Sequence, residues 1–263
     1  MARGVVVAVA HRIAVISGKG GVGKSTVSLN LALALAETGA KVGLLDADVY
    51  GPDIPVMVNL TRRAPLRFWD LASAKSTIQL EPVERFGIKI MSVGFLVGEQ
   101  QALALPGPMG SLVLHQLTTA VDWGELDYLV IDFPPGASEV QQQLLGLLRP
   151  SGVLIVVSPQ DVAHLDAKKV LDLLQRLSIP VLGGFENFSA LDCPHCGEPV
   201  EVFPSVRAER SIWSLGVERL GRLPMDPAVA RAAETGRPLL VADPDSPPVR
   251  AFRQLASVII EAL

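Results

Sequence analysis

Two short stretches of this 263-residue chain carry residue types at spacings that can do chemistry. The first is Gly18-Lys19-Gly20-Gly21-Val22-Gly23-Lys24-Ser25-Thr26, which satisfies G-x-x-x-x-G-K-[ST] between an apolar run and a helical pattern. Glycines there let successive N–H groups converge on phosphate oxygens, and the helix start adds donors and positive potential. ATP and Mg²⁺ are the expected ligands: Lys24 would span the β- and γ-phosphates, and the Ser25 hydroxyl would ligate the metal. Metal and water also need acids at neighbouring strand ends. Asp132, placed after Tyr128–Ile131 and before Phe133-Pro134-Pro135-Gly136, reads as the Mg²⁺-supporting acid. Asp48 reads as the group that positions or activates the attacking water, and Asp46 as part of the metal's outer shell. Capping the next turn is the alternative for both.

The second stretch is Cys193-Pro194-His195-Cys196-Gly197, which holds both cysteines of the chain. Four readings are open. A thiol oxidoreductase needs its first cysteine at a helix N-terminus, and Gly197 and Pro199 stop any helix there. A turn without metal is the second. The other two are metal-binding, since soft thiolates suit zinc or an iron–sulfur cluster, and a closed site of either kind wants four protein ligands. One chain offers two thiols and two chains offer four, so a symmetric dimer could build a Cys₄ centre near its twofold axis. His195 reads as a surface residue rather than a ligand.

The elements that must position these groups are legible as a rhythm. Strands are expected at Ile13–Ser17, Val42–Asp46, Ile88–Val93, Tyr128–Asp132, Val153–Ser158, Val181–Phe185 and Glu218–Leu223. Helices are expected at Lys24–Thr38, Ser111–Val121, Ser138–Leu148, Ala163–Leu177, Ala228–Thr235 and Val249–Leu263. Strands apolar on both faces, alternating with helices, predict an α/β fold with a doubly wound, mostly parallel sheet. Ligands of such a sheet bind outside the carboxyl ends of the strands, where the loop and the acids converge. Residues 1–263 read as a single P-loop ATPase domain with a cysteine-knuckle insertion at 192–204. Gly51–Gln79, with Pro52, Pro55, Pro65, Arg62, Arg63, Phe68 and Trp69, reads as an ordered excursion near a ligand. The segment before Ile13 reads as an extended arm or an added strand.

Composition narrows the partners. The chain is 49% hydrophobic with a formal net charge of −4, which supplies no general grip on nucleic acid. Its longest uncharged stretch, Gln100 to Val121, is broken by prolines and glycines and fails as a membrane span. The C-terminal stripe of Phe252, Leu255, Ile259 and Leu263 reads as core packing rather than an anchor. Two cysteines and no membrane segment point to a reducing cytoplasm.

The loop resembles the deviant Walker A motif, K-G-G-x-G-K-[ST], of the MinD/ParA/nitrogenase-iron-protein class. That resemblance implies that Lys19 crosses a dimer interface to the phosphates of the other subunit. More widely, the chain is similar to the Mrp/ApbC-type iron–sulfur cluster carrier P-loop ATPases. The likeness rests on the loop, on Asp46-Ala47-Asp48-Val49-Tyr50-Gly51-Pro52-Asp53-Ile54-Pro55, on Trp123 to Asp132, on the cysteine knuckle and on Glu186-Asn187-Phe188-Ser189. It implies a cytoplasmic homodimer that binds ATP near its interface and bridges a [4Fe–4S] cluster on Cys193 and Cys196 of both chains. The likeness further implies cluster donors and recipient apoproteins as partners, and an adenine contact from Asn187. Slow hydrolysis is expected separately, because nothing in the sequence guarantees that the catalytic groups assemble without a partner or cluster. Where family members usually continue Pro-Pro-Gly with Thr-Gly-Asp, this chain has Ala137-Ser138-Glu139. The competing functions are a MinD/ParA-like positioning ATPase and a zinc-bridged nucleotide-binding scaffold.

Overall fold

Period-two alternation along the central strands sorts the apolar residues onto two faces, and each face has its own helices. Ile13 and Val15 of the first strand belong to one core, while Ala14 and Ile16 belong to the other. The computed structural model describes residues 9–60, 80–95, 107–193 and 195–263, and leaves the side chains of 107–112 aside. The parts of the expected arm and of the Gly51–Gln79 excursion at 1–8 and 61–79, including Arg62, Arg63, Pro65, Phe68 and Trp69, lie outside the described residues.

In chain order the elements are β1 (Val9–Ser17), α1 (Lys24–Glu37), β2 (Val42–Asp46), α2 (Ile54–Met57), β3 (Val83–Arg85), β4 (Ile88–Ser92) and α3 (Gly107–Thr119). There follow β5 (Leu126–Asp132), α4 (Glu139–Leu148), β6 (Gly152–Val157), α5 (Asp161–Arg176), β7 (Val181–Asp192) and β8 (Pro199–Val200). β9 (Arg219–Met225), α6 (Pro227–Glu234), α7 (Leu239–Ala242) and α8 (Pro247–Ala262) complete the described chain. One nine-stranded sheet runs β3-β4-β2-β5-β1-β6-β7-β8, with β9 also pairing β7. All pairs are parallel except β3–β4 and β7–β8. The chain builds β2 and β4 on one side of β1, returns through β5, and lays β6, β7 and β9 on the other. The strand order therefore reverses beside β1, where a ligand crevice belongs.

α1 and α8 cover one face; α3, α4 and α5 cover the other. Helix α1 closes at Thr38, followed by Gly39 at φ 89, a left-handed position that glycine fills without steric cost. On α8, Phe252, Leu255 and Ile259 are fully buried, and Arg253 clasps Glu37 of α1 at 2.6 and 2.9 Å. That apolar stripe is spent inside the protein. Among the described residues no helix is long and apolar enough to cross a membrane.

Several elements depart from the sequence expectation: β1 begins at Val9 rather than Ile13, the short α2, β3, β8 and α7 were not expected, and three further departures bear on the site. Helix α3 begins at Gly107, four residues before Ser111, because Pro108 falls in a first turn, where proline costs no hydrogen bond. Ser138 caps α4 rather than belonging to it, its side chain accepting from the Gln141 N–H at 3.5 Å. The departure Ala137-Ser138-Glu139 thus supplies a cap and a first-turn acid. Strand β7 runs seven residues past Phe185 to Asp192, so the cysteine turn sits on the tip of a sheet strand.

Candidate functional site

The phosphate loop joins β1 to α1. Gly21 and Gly23 take φ of 80 and 81, and Val22 between them is buried, which pins the loop to the core. Helix α1 starts on Gly23 with no side-chain cap, so its first amides are left for a ligand. The loop borders a cleft of about 460 Å³, lined among others by Gly20, Lys24, Ser25, Thr26, Asp48, Asp53, Pro135 and Phe188.

The acids stand where parallel register puts them. Ser92, Asp46 and Asp132 are partners on β4, β2 and β5, so their side chains share one face at the carboxyl ends. Lys24 donates to Asp132 Oδ1 at 2.7 Å, with exposures of only 7% and 1%. The Ser28 hydroxyl also lies 2.7 Å from that oxygen, while Asp132 Oδ2 is buried without a partner. Asp46 accepts from the Ser92 hydroxyl at 2.8 Å and from the Asp48 N–H at 3.2 Å. Burial, and next the charge of Asp132, push the Asp46 carboxyl well above the usual carboxylate range. Asp48 is also raised, chiefly by burial against the pull of Lys24, and accepts from the Gly51 N–H at 3.3 Å. Asp46 thus caps the turn that carries Asp48, beside Asp132 on the neighbouring strand.

Lys19 lies across the loop from Lys24. Its ammonium donates to Gln160 Oε1, at the start of α5, at 3.1 Å. Gly18 packs so closely on α5 that a Cβ there would collide with the backbone of Asp166 and Ala167. Asn187 of β7 donates to the Val22 carbonyl at 2.9 Å, and its Oδ1 is buried without a partner. Gln141 Nε2 holds the turn after Asp132 by donating to the Pro134 carbonyl at 2.6 Å. Ser28, Ser92, Gln141 and Gln160 were absent from the sequence expectation. Of these only Ser28 had a signal, one helical turn after Lys24 on the same face.

Cys193 and Cys196 are free thiols at the tip of β7, the first half-buried and the second exposed. The turn is closed by Cys193 N–H to the Glu198 carbonyl at 2.9 Å and Gly197 N–H to the Cys193 carbonyl at 2.8 Å. Backbone N–H groups of His195 and Cys196 point at the Cys193 sulfur and hold its thiol below its ordinary pKa. His195 is exposed. Because β7 is parallel to β1, this turn and the phosphate loop lie at the same edge of the sheet.

Comparison with known proteins agrees with this geometry. The sequence profile of the ParA-class NUBPL iron-transfer P-loop NTPase matches residues 8–260. The mitochondrial iron–sulfur protein required for NADH dehydrogenase of Arabidopsis thaliana is 40% identical over 252 residues, 95% of this chain and 78% of that one. The iron–sulfur cluster carrier protein of Pseudomonas fragi is 41% identical over 244 residues, 93% of this chain and 83% of its own. Among solved structures, a nucleotide-binding protein of Archaeoglobus fulgidus in complex with ADP superposes with a TM-score of 0.71 and 34% identity. It covers 93% of this chain and 92% of that one.

Proposed function

The chain belongs to the family of NUBPL iron-transfer P-loop NTPases, and on that premise we propose that it is an ATP-hydrolysing iron–sulfur cluster carrier working as a homodimer. Residues 1–263 act as one ATPase domain, with the 192–204 knuckle as its cargo grip. ATP lies in the cleft beside Gly18–Thr26, its phosphates on the loop amides and Lys24, and Asn187, bonded here to the Val22 carbonyl, contacts the adenine once it turns from that bond. The Ser25 hydroxyl and Asp132, whose Oδ2 is buried and unpartnered, would hold Mg²⁺, which neutralises phosphate charge. Asp46 fixes the Asp48 turn, and Asp48, its basicity raised by burial, orients the attacking water and accepts its proton. Water adds to the γ-phosphorus, the bond to the bridging oxygen breaks, and ADP and phosphate leave.

Hydrolysis is slow in the isolated chain because both lysines are held elsewhere. Lys24 is paired with Asp132, and Lys19 is tied to Gln160. Each must change partner before the phosphates are fully neutralised, and Lys19 does so toward the other copy of a closed dimer.

The observation that carries the cargo reading is the thiol pair. Among the described residues no group of three or more His, Cys, Asp or Glu is placed to hold a metal ion, so the two thiols of one chain would need ligands from elsewhere to close a four-ligand centre. A second copy supplies the other half. The [4Fe–4S] cluster is cargo, received from donors and passed to apoproteins in a reducing compartment. Anaerobic reconstitution with iron and sulfide tests this. Wild type should gain a charge-transfer absorption that Cys193→Ala lacks. Stoichiometric zinc alone, or iron retained equally by Cys193→Ala, would contradict it.

A further inference from the structure

Helix α5 is gripped from two sides. On one, the phosphate loop rests on it: Gly18 against the backbone of Asp166 and Ala167, and Lys19 on Gln160, the residue just before the helix. On the other, the chain that leaves the cysteine turn is fastened to it. Asp161 accepts from the Arg207 N–H at 3.2 Å, from Arg207 Nε at 2.9 Å and from Arg210 Nη1 at 2.8 Å. One turn on, His164 Nδ1 accepts from the Ile212 N–H at 3.2 Å, and the ring meets Trp213 edge-on. A further turn on, Lys168 donates to the Glu209 carbonyl at 2.7 Å. Residues 161, 164 and 168 share one helical face, so this is a continuous seam.

We propose that the first turns of α5 couple the nucleotide loop to the cysteine pair, with Asp161 as the positioning residue that carries the coupling. The inference rests on the reading of Cys193 and Cys196 as a metal-holding pair. The bistable part is Lys19, which is bonded to Gln160 here and leaves it for phosphate in the nucleotide-bound dimer. Gln160 and Asp161 are adjacent, so release of one changes the restraint on the other. Asp161 fixes Arg207, eleven residues after Cys196, and β8 between them pairs with the end of β7. Shifting that tie moves one side of the turn against the other and alters how well the two sulfurs fit a shared metal. Slight desolvation of Asp161 is outweighed by the bonds from Arg207, which hold it below the usual carboxylate range and charged near neutral pH. Coupling of this kind is reciprocal: whatever factor nucleotide applies to metal affinity, metal applies to nucleotide affinity.

The probe is Zn²⁺, titrated in competition with a chromophoric chelator into the full chain, with and without a non-hydrolysable ATP analogue in excess Mg²⁺. Wild type should show a nucleotide-dependent change in Zn²⁺ affinity of at least about fivefold. Asp161→Asn should bind each ligand alone as wild type does, with the change reduced to less than about twofold. The double variant Arg207→Gln/Arg210→Gln removes the same tie from the other side and should behave alike. Full linkage in either variant, or a wild-type Zn²⁺ affinity that nucleotide leaves untouched, overturns the coupling while sparing the cargo reading. Zn²⁺ binding undiminished in Cys193→Ser overturns the reading of the pair, and the inference with it.

Discussion

Lys24 and Asp132 remove two charges from water and pair at 2.7 Å through Asp132 Oδ1, with Ser25 and Ser28 beside them. A buried pair broken from one side leaves the other charge stranded, so Lys24→Met should cost the nucleotide-free protein about 3 kcal/mol in urea unfolding, apart from any loss of ATP binding. The thiols make the opposite case: Cys196 is exposed and Cys193 half-buried, so Cys193→Ala should change stability by less than about 0.5 kcal/mol while removing the metal. Lys19→Ala should keep nucleotide binding and lose turnover by a factor on the order of 10³, read by phosphate release, together with nucleotide-dependent dimer closure. His164 gives a pH signature. Burial, then the charge of Arg219, lowers its pKa from 6.5 to about 4. Folded protein thus keeps the ring neutral where unfolded chain would protonate it. Its contribution is full above pH 6.5 and is lost as pH falls toward 4, and the urea midpoint should fall over that window less steeply in His164→Gln.

At the scale of elements, α5 backs the phosphate loop and β7 carries Asn187 and leads into the cysteine turn. Gly18→Ala would drive a methyl into the α5 backbone, which cannot yield as a side chain can; destabilisation of about 2 kcal/mol is expected in nucleotide-free unfolding. How far the sequence revealed these elements depends on what signals them. Val42–Asp46 and the Tyr128–Asp132 part of β5 are largely apolar runs closed by an acid, readable because burial on two faces leaves a continuous signal. Leu126-Asp127 at the start of β5, with Asp127 exposed, falls outside that reading. The extension of β7 was not readable, since Glu186 to Asp192 mixes acids, Asn, Ser and aromatics, and pairing with β9 and β8 overrides that local pattern. Phe188 even takes φ 60 within it, at an irregularity in the pairing with β9. For the site the division is similar. Gly18–Thr26, Asp132 and the cysteine pair announce themselves by motif. Ser92 with Asp46 and Gln160 with Lys19 are contacts over 46 and 141 residues, which only the folded register creates.

The whole molecule sets the phosphate loop and the cysteine turn at the carboxyl end of one parallel sheet, and a shared metal centre requires two such molecules to meet there. Exposed apolar side chains gather near that edge on several elements: Tyr50 and Val56 beside the nucleotide cleft, Val162 and Leu165 at the start of α5, Val200 and Val202 after the cysteine turn. They suit burial against a second copy, which would bring each Lys19 and each thiol pair toward its counterpart. Native mass spectrometry of the protein after anaerobic reconstitution, in the presence of Mg-ATP analogue, tests this most directly. The expected species is a dimer carrying a single [4Fe–4S] cluster, which falls to a cluster-free species in Cys193→Ala. A cluster seated on a monomer, or a dimer that never holds iron and sulfide, would contradict the shared centre.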